Sequence, residues 1–202
     1  LGAGGRSISV INNYSHLSFN VGSTLHRGIE KEDPALDLTL TESGKKQAKI
    51  LSIYFEKNNI KFSHAYCSTQ ERASDTLEII THNKIPYTRL KGLKEWNFGL
   101  FEGESKYLIP KFPYNDFFVS YGGENSTKVQ NRMNKTLTEI MKKDDNKNAL
   151  VVSHEKSCSM FFLKWAKDNF ENISSQNCTI FKYEFENEKF NFLEVIQSNF
   201  DI

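Results

Sequence analysis

The sequence predicts an α/β fold with a mixed, mostly parallel central sheet that is flanked by helices on both faces. Three observations lead to this prediction. Two buried strands run directly into helices, at 64–81 and 149–169, and the chain ends in two strands of alternating pattern, 180–186 and 190–196. Strands that alternate with helices form parallel sheets, and a terminal hairpin adds antiparallel strands.

The first strand and the first helix are predicted from local patterns near the beginning of the chain. Residues 7–12 form a short apolar strand, which a polar loop follows. Thr39 with Glu42 three residues later is a capping-box pattern, and it predicts a helix from about 41 to 58. The apolar positions of this segment fall on one face, as they do in a helix that packs against a sheet.

The middle of the chain contains the second strand–helix pair and a less regular stretch. Ser68 and Thr69 can both cap a helix from about 70 to 81. Residues 84–103 are rich in turn formers and predict an irregular connection. The aromatic, proline-punctuated segment at 104–121 predicts an insertion that lies over the sheet edge as a lid.

The last helices and the final turn follow from the same kind of pattern. A helix is expected at 126–143, and the strand 149–153 leads into a helix from Glu155 to about 169. The two strands near the carboxyl terminus meet in a tight turn at Asn187-Glu188. We expect residues 1–202 to form one domain.

The composition is that of a soluble protein without a strong field of either sign. Lys and Arg number 26 against 25 Asp and Glu, so neither nucleic acid nor an anionic membrane is an expected partner. Cys67, Cys158 and Cys178 have no metal-type spacing, and we expect three buried or semi-buried thiols in the cytoplasm. The oligomeric state does not follow from the sequence.

Polar residues follow three of the predicted strands, at 13–16, 68–72 and 153–155. The carboxyl ends of parallel strands converge on one crevice, where helix amino termini present free amides to anions. Arg72, one turn into a helix, can hold two oxygens of a phosphate at once. The sequence therefore predicts a pocket for phosphate or a small phosphorylated substrate.

Two further residues are candidates for chemistry at this pocket. His154, at a helix start, can donate a hydrogen bond to the ligand or act as a nucleophile, and Glu95, beside a turn glycine, is the candidate general acid. Each has a simpler alternative. Arg72 can pair with Asp75 on a helix surface, His154 can be a satisfied core residue, and Glu95 can pair with Lys94.

Five segments together resemble the histidine phosphatase superfamily, whose fold is phosphoglycerate-mutase-like. They are Leu40–Ala48, Tyr66–Thr76, Leu93–Gly103, Gly122–Glu124 and Val151–His154, which occur in the family's order over nearly the whole chain. The resemblance implies the fold described above. It also implies phosphatase or phosphomutase activity, with Arg72 binding phosphate, Glu95 as the acid and His154 as the family's second histidine.

The chain departs from the family pattern where the family has its Arg-His-Gly triplet. Counted back from Phe19-Asn20, which resemble the end of that motif, the triplet falls on Asn13-Tyr14-Ser15. In the family that histidine takes the phosphoryl group covalently, so Tyr14 occupies the nucleophile position. The resemblance also implies substrate contacts for Asn13, Asn20 and Arg27, and His16 is the alternative nucleophile.

Two classes of function follow from these residues. One is an enzyme acting on a small phosphoester or phosphopeptide, with His16 or His154 as the nucleophile or with direct attack by water. The other is a catalytically silent relative that keeps the anion pocket or binds a protein partner; Tyr14 then fills the pocket or contacts the ligand. No metal or cofactor is expected, because no ligand spacing is present and a cationic pocket repels divalent ions.

Overall fold

The computed structural model describes residues 6–13, 40, 42–104, 106–143, 145, 147–166 and 178–197. These residues form six strands and four α-helices, with short 3-10 turns between β3 and α3. In chain order the elements are β1 (Arg6–Asn13), α1 (Glu42–Lys57), β2 (His64–Ser68), α2 (Glu71–Thr81), β3 (Tyr87–Leu90), α3 (Ser126–Met141), β4 (Asn148–His154), α4 (Glu155–Trp165), β5 (Ile180–Glu186) and β6 (Lys189–Ile196).

All six strands belong to one mixed sheet in the order β3-β2-β4-β1-β5-β6. Strands β1 to β4 pair in parallel, and β5 and β6 add an antiparallel edge beside β1. The predicted fold class is therefore confirmed. Asn13 lies opposite His154, and Cys67 lies opposite Val152, so the carboxyl ends of β1, β2 and β4 share one edge.

Helices cover both faces of the sheet because neighbouring side chains of a strand point to opposite sides. Val151 of β4 belongs to the core beneath α3 and α4, together with Met133 and Phe161. The next residue, Val152, belongs to the core beneath α1 and α2, together with Leu51. The three cysteines are free and buried in these cores, as predicted.

The terminal hairpin agrees with its predicted turn. Asn187 and Glu188 both have positive φ, 50° and 61°, which is the backbone of a two-residue turn whose twist matches that of the flanking strands. Asn tolerates this conformation well. The hairpin therefore closes where its sequence indicates.

Three local predictions were wrong. Residues 87–90 form the edge strand β3, although the stretch 84–103 was expected to be irregular. The N-cap of helix α2 is Gln70, not Ser68 or Thr69. The Ser68 hydroxyl accepts the Gln70 N–H at 3.2 Å, so its hydrogen bond is made before the helix begins. Helix α4 ends at Trp165 instead of near 169, since Ala166 leaves the helical region with φ −144°. The predicted cap Thr39 lies outside the described residues.

The aromatic segment after β3 packs on helices. Trp96, Tyr114 and Phe118 form a cluster with Val129 of α3 and Met160 of α4. The other described members of this cluster lie in the same segment and in α4, so the segment packs against these two helices. Its predicted position over the sheet edge and its predicted role as a lid stay predictions. In the part of the chain that the structure describes, no helix combines the length and the apolar character needed to cross a membrane.

Candidate functional site at the carboxyl edge of the sheet

The structure places three predicted site residues around the carboxyl ends of β2 and β4. Arg72 lies in the first turn of α2, His154 is the last residue of β4, and Glu95 lies in the loop after β3. Asn13 ends β1 beside His154, and only its backbone is described. The other predicted residues, Tyr14, His16, Asn20 and Arg27, lie outside the described residues.

His154 links the central strand to helix α4. It is the N-cap residue of α4, with an extended backbone, but its ring caps nothing. The imidazole is fully buried, and neither ring nitrogen has a hydrogen-bond partner among the described residues. Burial holds the pKa of His154 well below its usual value, and the positive charges of Arg72, Arg132 and Lys94 lower this pKa further. The ring is therefore neutral and carries one donor and one acceptor nitrogen.

Arg72 is 7% exposed, which is unusual for a charged side chain. Its charge acts on two groups around it, since it lowers the pKa of His154 and also favours the ionised form of Glu102. A buried guanidinium near a neutral imidazole is suited to holding an anion.

Glu95 joins the loop after β3 to the start of α4. Its Oε1 accepts the backbone N–H groups of Trp96 at 2.8 Å and Ser157 at 3.0 Å, and its Oε2 accepts that of Lys156 at 3.2 Å. Two of these amides, those of Lys156 and Ser157, lie in the first turn of α4. The helix backbone offers no carbonyl acceptor to the N–H groups of its first turn. The Glu95 carboxylate thus caps α4, the helix that begins directly after His154.

Glu155 follows His154 directly, so its charge lies beside the candidate anion pocket. The side chain is buried and forms an ion pair with Lys156 at 2.5 Å. The Lys156 ammonium also lies 5.5 Å from the centre of the Phe112 ring, which connects α4 to the aromatic segment. The pair offsets the negative charge that Glu155 would otherwise bring to the pocket.

Sequence reasoning missed three residues of this region. Arg132 forms a two-point ion pair with Glu124 and contacts the loop that carries Glu95. Gln70 accepts the Glu95 N–H at 2.9 Å. Burial and the nearby charge of Glu95 raise the pKa of Glu102. The sequence signal for Glu124 was its place in the Gly122–Glu124 segment just before α3, but nothing local to that segment shows that Arg132, inside the helix, turns back to meet it.

The described residues contain no group of three His, Cys, Asp or Glu side chains that could hold a metal ion. Glu95 lies close enough to Glu102 to raise the pKa of Glu102, whereas the positive charges of Arg72 and Lys94 lower that pKa.

The strand order and the mixed pairing define an α/β protein with a six-stranded sheet, and the buried Arg72 and His154 lie at the carboxyl edge of that sheet. The family model of the histidine phosphatase superfamily (branch 1) matches residues 22–197, and the chain belongs to this superfamily. A curated relative, the 2,3-bisphosphoglycerate-dependent phosphoglycerate mutase of Buchnera aphidicola subsp. Cinara cedri (strain Cc), is 40% identical over 79 residues. That match covers 37% of this chain and 34% of the mutase, about a third of its length.

Solved structures share the fold over nearly their whole length. Bacillus stearothermophilus YhfR is 20% identical with a TM-score of 0.70, over 93% of this chain and 95% of that one. The phosphoglycerate mutase of Bacillus anthracis str. Sterne is 19% identical with a TM-score of 0.72, over 94% and 93%. Phosphoserine phosphatase of Entamoeba histolytica, in complex with 3-phosphoglyceric acid, is 20% identical with a TM-score of 0.71, over 96% and 98%. At these identities the likeness establishes the fold.

Proposed function

We propose that this chain binds a small phosphorylated molecule at the carboxyl edge of its sheet, and that its phosphoryl transfer is impaired because Tyr14 occupies the nucleophile position. The state of His154 carries the proposal. A fully buried imidazole with two unpartnered nitrogens among the described residues is costly unless a ligand supplies the missing partner. An anionic oxygen suits this role, because the positive charges of Arg72, Arg132 and Lys94 act on the ring and Lys156 offsets the charge of Glu155.

Each residue has a distinct role in this proposal. Arg72 binds two phosphate oxygens, and His154 donates a hydrogen bond to a third. Glu95 holds the first turn of α4, and a remaining lone pair of Oε2 is available to exchange a proton with the ester oxygen. Family membership supports a phosphorylated ligand, as does the 3-phosphoglyceric acid bound by the Entamoeba histolytica enzyme.

Tyr14 is the reason for expecting impaired transfer. A phenol with a pKa of about 10 is mostly protonated at neutral pH, whereas a neutral imidazole is ready to attack phosphorus. The tyrosine hydroxyl retains a hydrogen-bonding role and can contact the bound anion. The family model begins to match at residue 22, so the assignment of Tyr14 rests on the spacing from Phe19-Asn20.

The alternative is an active phosphatase or phosphomutase in which His16 or His154 is the nucleophile. The neutral state of His154 favours this second candidate, since an unprotonated nitrogen is the form that attacks. A third possibility is a protein whose pocket serves only for binding a partner. These functions differ in whether a phosphate analogue binds and whether a phosphoester is turned over.

The test combines binding and turnover. Titration calorimetry with vanadate and with inorganic phosphate measures binding, and hydrolysis of p-nitrophenyl phosphate measures turnover. We expect binding without appreciable turnover, with affinity lost in Arg72→Gln and His154→Gln. The control is His82→Gln, which alters an exposed histidine paired with Glu56 at 3.0 Å. Absence of vanadate and phosphate binding by the unaltered chain would refute the anion site, and efficient turnover would refute the impairment.

A further inference from the structure

Glu95 is held at both ends of its backbone as well as through its carboxylate. We propose that Gln70 and Arg132 are positioning residues that hold Glu95, and through it the start of α4 with His154, in the geometry that binds the anion. The inference rests on the proposed function, because it concerns the same site. It assigns a role to two side chains that do not themselves need to touch the ligand.

Gln70 connects the loop of Glu95 to the helix that carries Arg72. It is the N-cap residue of α2 and is 9% exposed. Its side-chain Oε1 accepts the Glu95 N–H at 2.9 Å, while its own N–H donates to the Ser68 hydroxyl at 3.2 Å. Gln70 is thereby fixed to the end of β2, two residues before Arg72. The Gln70 side-chain amide therefore ties the Glu95 loop to the start of the helix that carries Arg72.

Arg132 holds the other side of the same loop from helix α3. Its Nη1 donates to the carbonyl oxygens of Gly92 at 3.0 Å and Lys94 at 2.8 Å, and its Nη2 donates to that of Glu95 at 3.0 Å. Glu124 orients the guanidinium through two hydrogen bonds, from Nε to Oε1 at 3.0 Å and from Nη2 to Oε2 at 2.9 Å. A planar guanidinium can make all of these bonds at once, whereas a lysine ammonium cannot.

The held loop in turn determines where α4 begins. The Glu95 carboxylate binds the amides of Lys156 and Ser157, and the Ser157 hydroxyl donates to the Lys94 carbonyl at 2.7 Å. His154 is the N-cap residue of the same helix, so a displacement of Glu95 is transmitted to the imidazole. The three helices α2, α3 and α4 thus meet at one residue. Small displacements of this kind weaken a site that depends on orientation.

A purely structural role would make the same residues contribute to stability without affecting the site selectively. The two roles differ in what changes locally. If Gln70 and Arg132 only stabilise the fold, any loss of anion affinity should follow the loss of global stability. If Gln70 and Arg132 position Glu95, their replacement should lower the anion affinity and the protection of the α4 amides from hydrogen exchange. The amides of remote elements should keep their protection.

The experiment uses the full chain and three measurements: vanadate affinity by calorimetry, amide hydrogen exchange, and unfolding in urea. Gln70→Met keeps the length of the side chain but removes the acceptor, and Arg132→Lys keeps the charge but removes the planar fork. The matched control is Arg6→Lys, because Arg6 lies at the opposite end of β1 and also donates to helix-end carbonyls, including that of Met141 at 2.8 Å.

We expect vanadate to bind about tenfold more weakly to Gln70→Met, the equivalent of one positioning hydrogen bond. Arg132→Lys should lose at least as much. Exchange should accelerate at Glu95, Lys156 and Ser157 in both variants and stay unchanged in β5 and β6. Gln70→Glu retains an acceptor, so the Glu95 amide should regain its protection in that variant. Arg6→Lys should leave affinity and these three amides unchanged.

Unchanged affinity and unchanged exchange at these amides in Gln70→Met and Arg132→Lys would overturn the inference. Loss of affinity in proportion to urea stability across all variants, Arg6→Lys included, would also overturn it. If the unaltered chain does not bind vanadate, the proposed function fails, and exchange at Lys156 and Ser157 alone then decides whether Gln70 and Arg132 position the loop.

Discussion

Asn13 lies directly opposite His154 where the parallel strands β1 and β4 end. The last residue of one central strand is therefore the neighbour of the one buried histidine in the described part of the chain. Tyr14 is bonded to Asn13, so the residue that we propose to occupy the nucleophile position follows immediately after this pair. The relationship connects the identity of residues 13 and 14 to the chemistry of the pocket.

Placing a histidine at position 14 should increase phosphoester hydrolysis. Tyr14→His restores a neutral nitrogen nucleophile, and we expect kcat/KM for p-nitrophenyl phosphate to rise on the order of a hundredfold. Adding Asn13→Arg should raise it further and non-additively, because both groups act on the same transition state. The alignment of the loop is wrong if the unaltered chain is already efficient and loses activity with His16→Ala but not with Tyr14→Phe.

The buried His154 should make folding sensitive to mild acid. Its pKa is lowered in the folded state, so only the unfolded chain binds this proton as the pH falls below the usual value of 6.5. Stability from this group is fully present above that pH and falls by about 1.4 kcal/mol per pH unit below it. Urea unfolding of the wild type and His154→Gln, between pH 7 and 5, measures the difference. Parallel stability curves for the two proteins would contradict a buried neutral imidazole.

Glu102 should produce a dependence on pH of the opposite sign. Burial raises its pKa above 4.5 in the folded state, so the folded chain binds this proton more tightly than the unfolded chain. Its contribution to stability is present at low pH and is lost as the pH rises from 4.5 through the raised value. We therefore expect Glu102→Gln to be more stable than the wild type at pH 7 and equal to it near pH 4. Glu104→Gln removes a nearby charge at an exposed position and is the control; the same crossover in both variants would contradict an effect of the burial of Glu102.

Removing the hydroxyl of Tyr183 should not cost stability. This hydroxyl is buried and has no hydrogen-bond partner among the described residues, so its desolvation is uncompensated. We expect Tyr183→Phe to be neutral or stabilising by up to about 1 kcal/mol in urea unfolding. Tyr87→Phe is the matched control, because the Tyr87 hydroxyl donates to Glu78 at 2.6 Å and its loss should cost about 1 kcal/mol. Strong destabilisation by Tyr183→Phe would imply a partner for this hydroxyl.

Gly99 should tolerate no side chain, because its Cα lies against the backbone of Tyr121 and Gly123 at the end of the aromatic segment. It has φ +60°, and an added Cβ would approach the Tyr121 carbonyl oxygen to 2.0 Å. Gly122 also has positive φ, at +79°, but an added Cβ there would meet nothing within 4 Å. We expect Gly122→Ala to cost about 1 kcal/mol from backbone strain alone, and Gly99→Ala to cost roughly 3 kcal/mol or more in thermal or urea unfolding. Equal costs would mean that the backbone around Tyr121 moves away easily.

Much of the fold could be predicted because its elements are encoded locally. The hairpin at Asn187-Glu188 follows from alternation and a turn residue that accepts positive φ. Strand β3 was missed for the converse reason. Its four residues are only partly buried or exposed, and it pairs with β2 alone, so its hydrophobic pattern is weak. Only the neighbouring strand makes this segment extended.

The sequence by itself determined the class of fold, the family and the positions of Arg72 and His154 at strand–helix junctions, because short-range patterns and motif order specify these. Tertiary structure alone decided what surrounds them. Glu95 became the cap of a helix that begins 60 residues later, and Arg132 joined Glu124 to three carbonyls of a distant loop. Such contacts depend on packing between elements far apart in the chain. Hydrogen bonds, desolvation and shifted pKa values arise only after that packing has removed water from the groups involved.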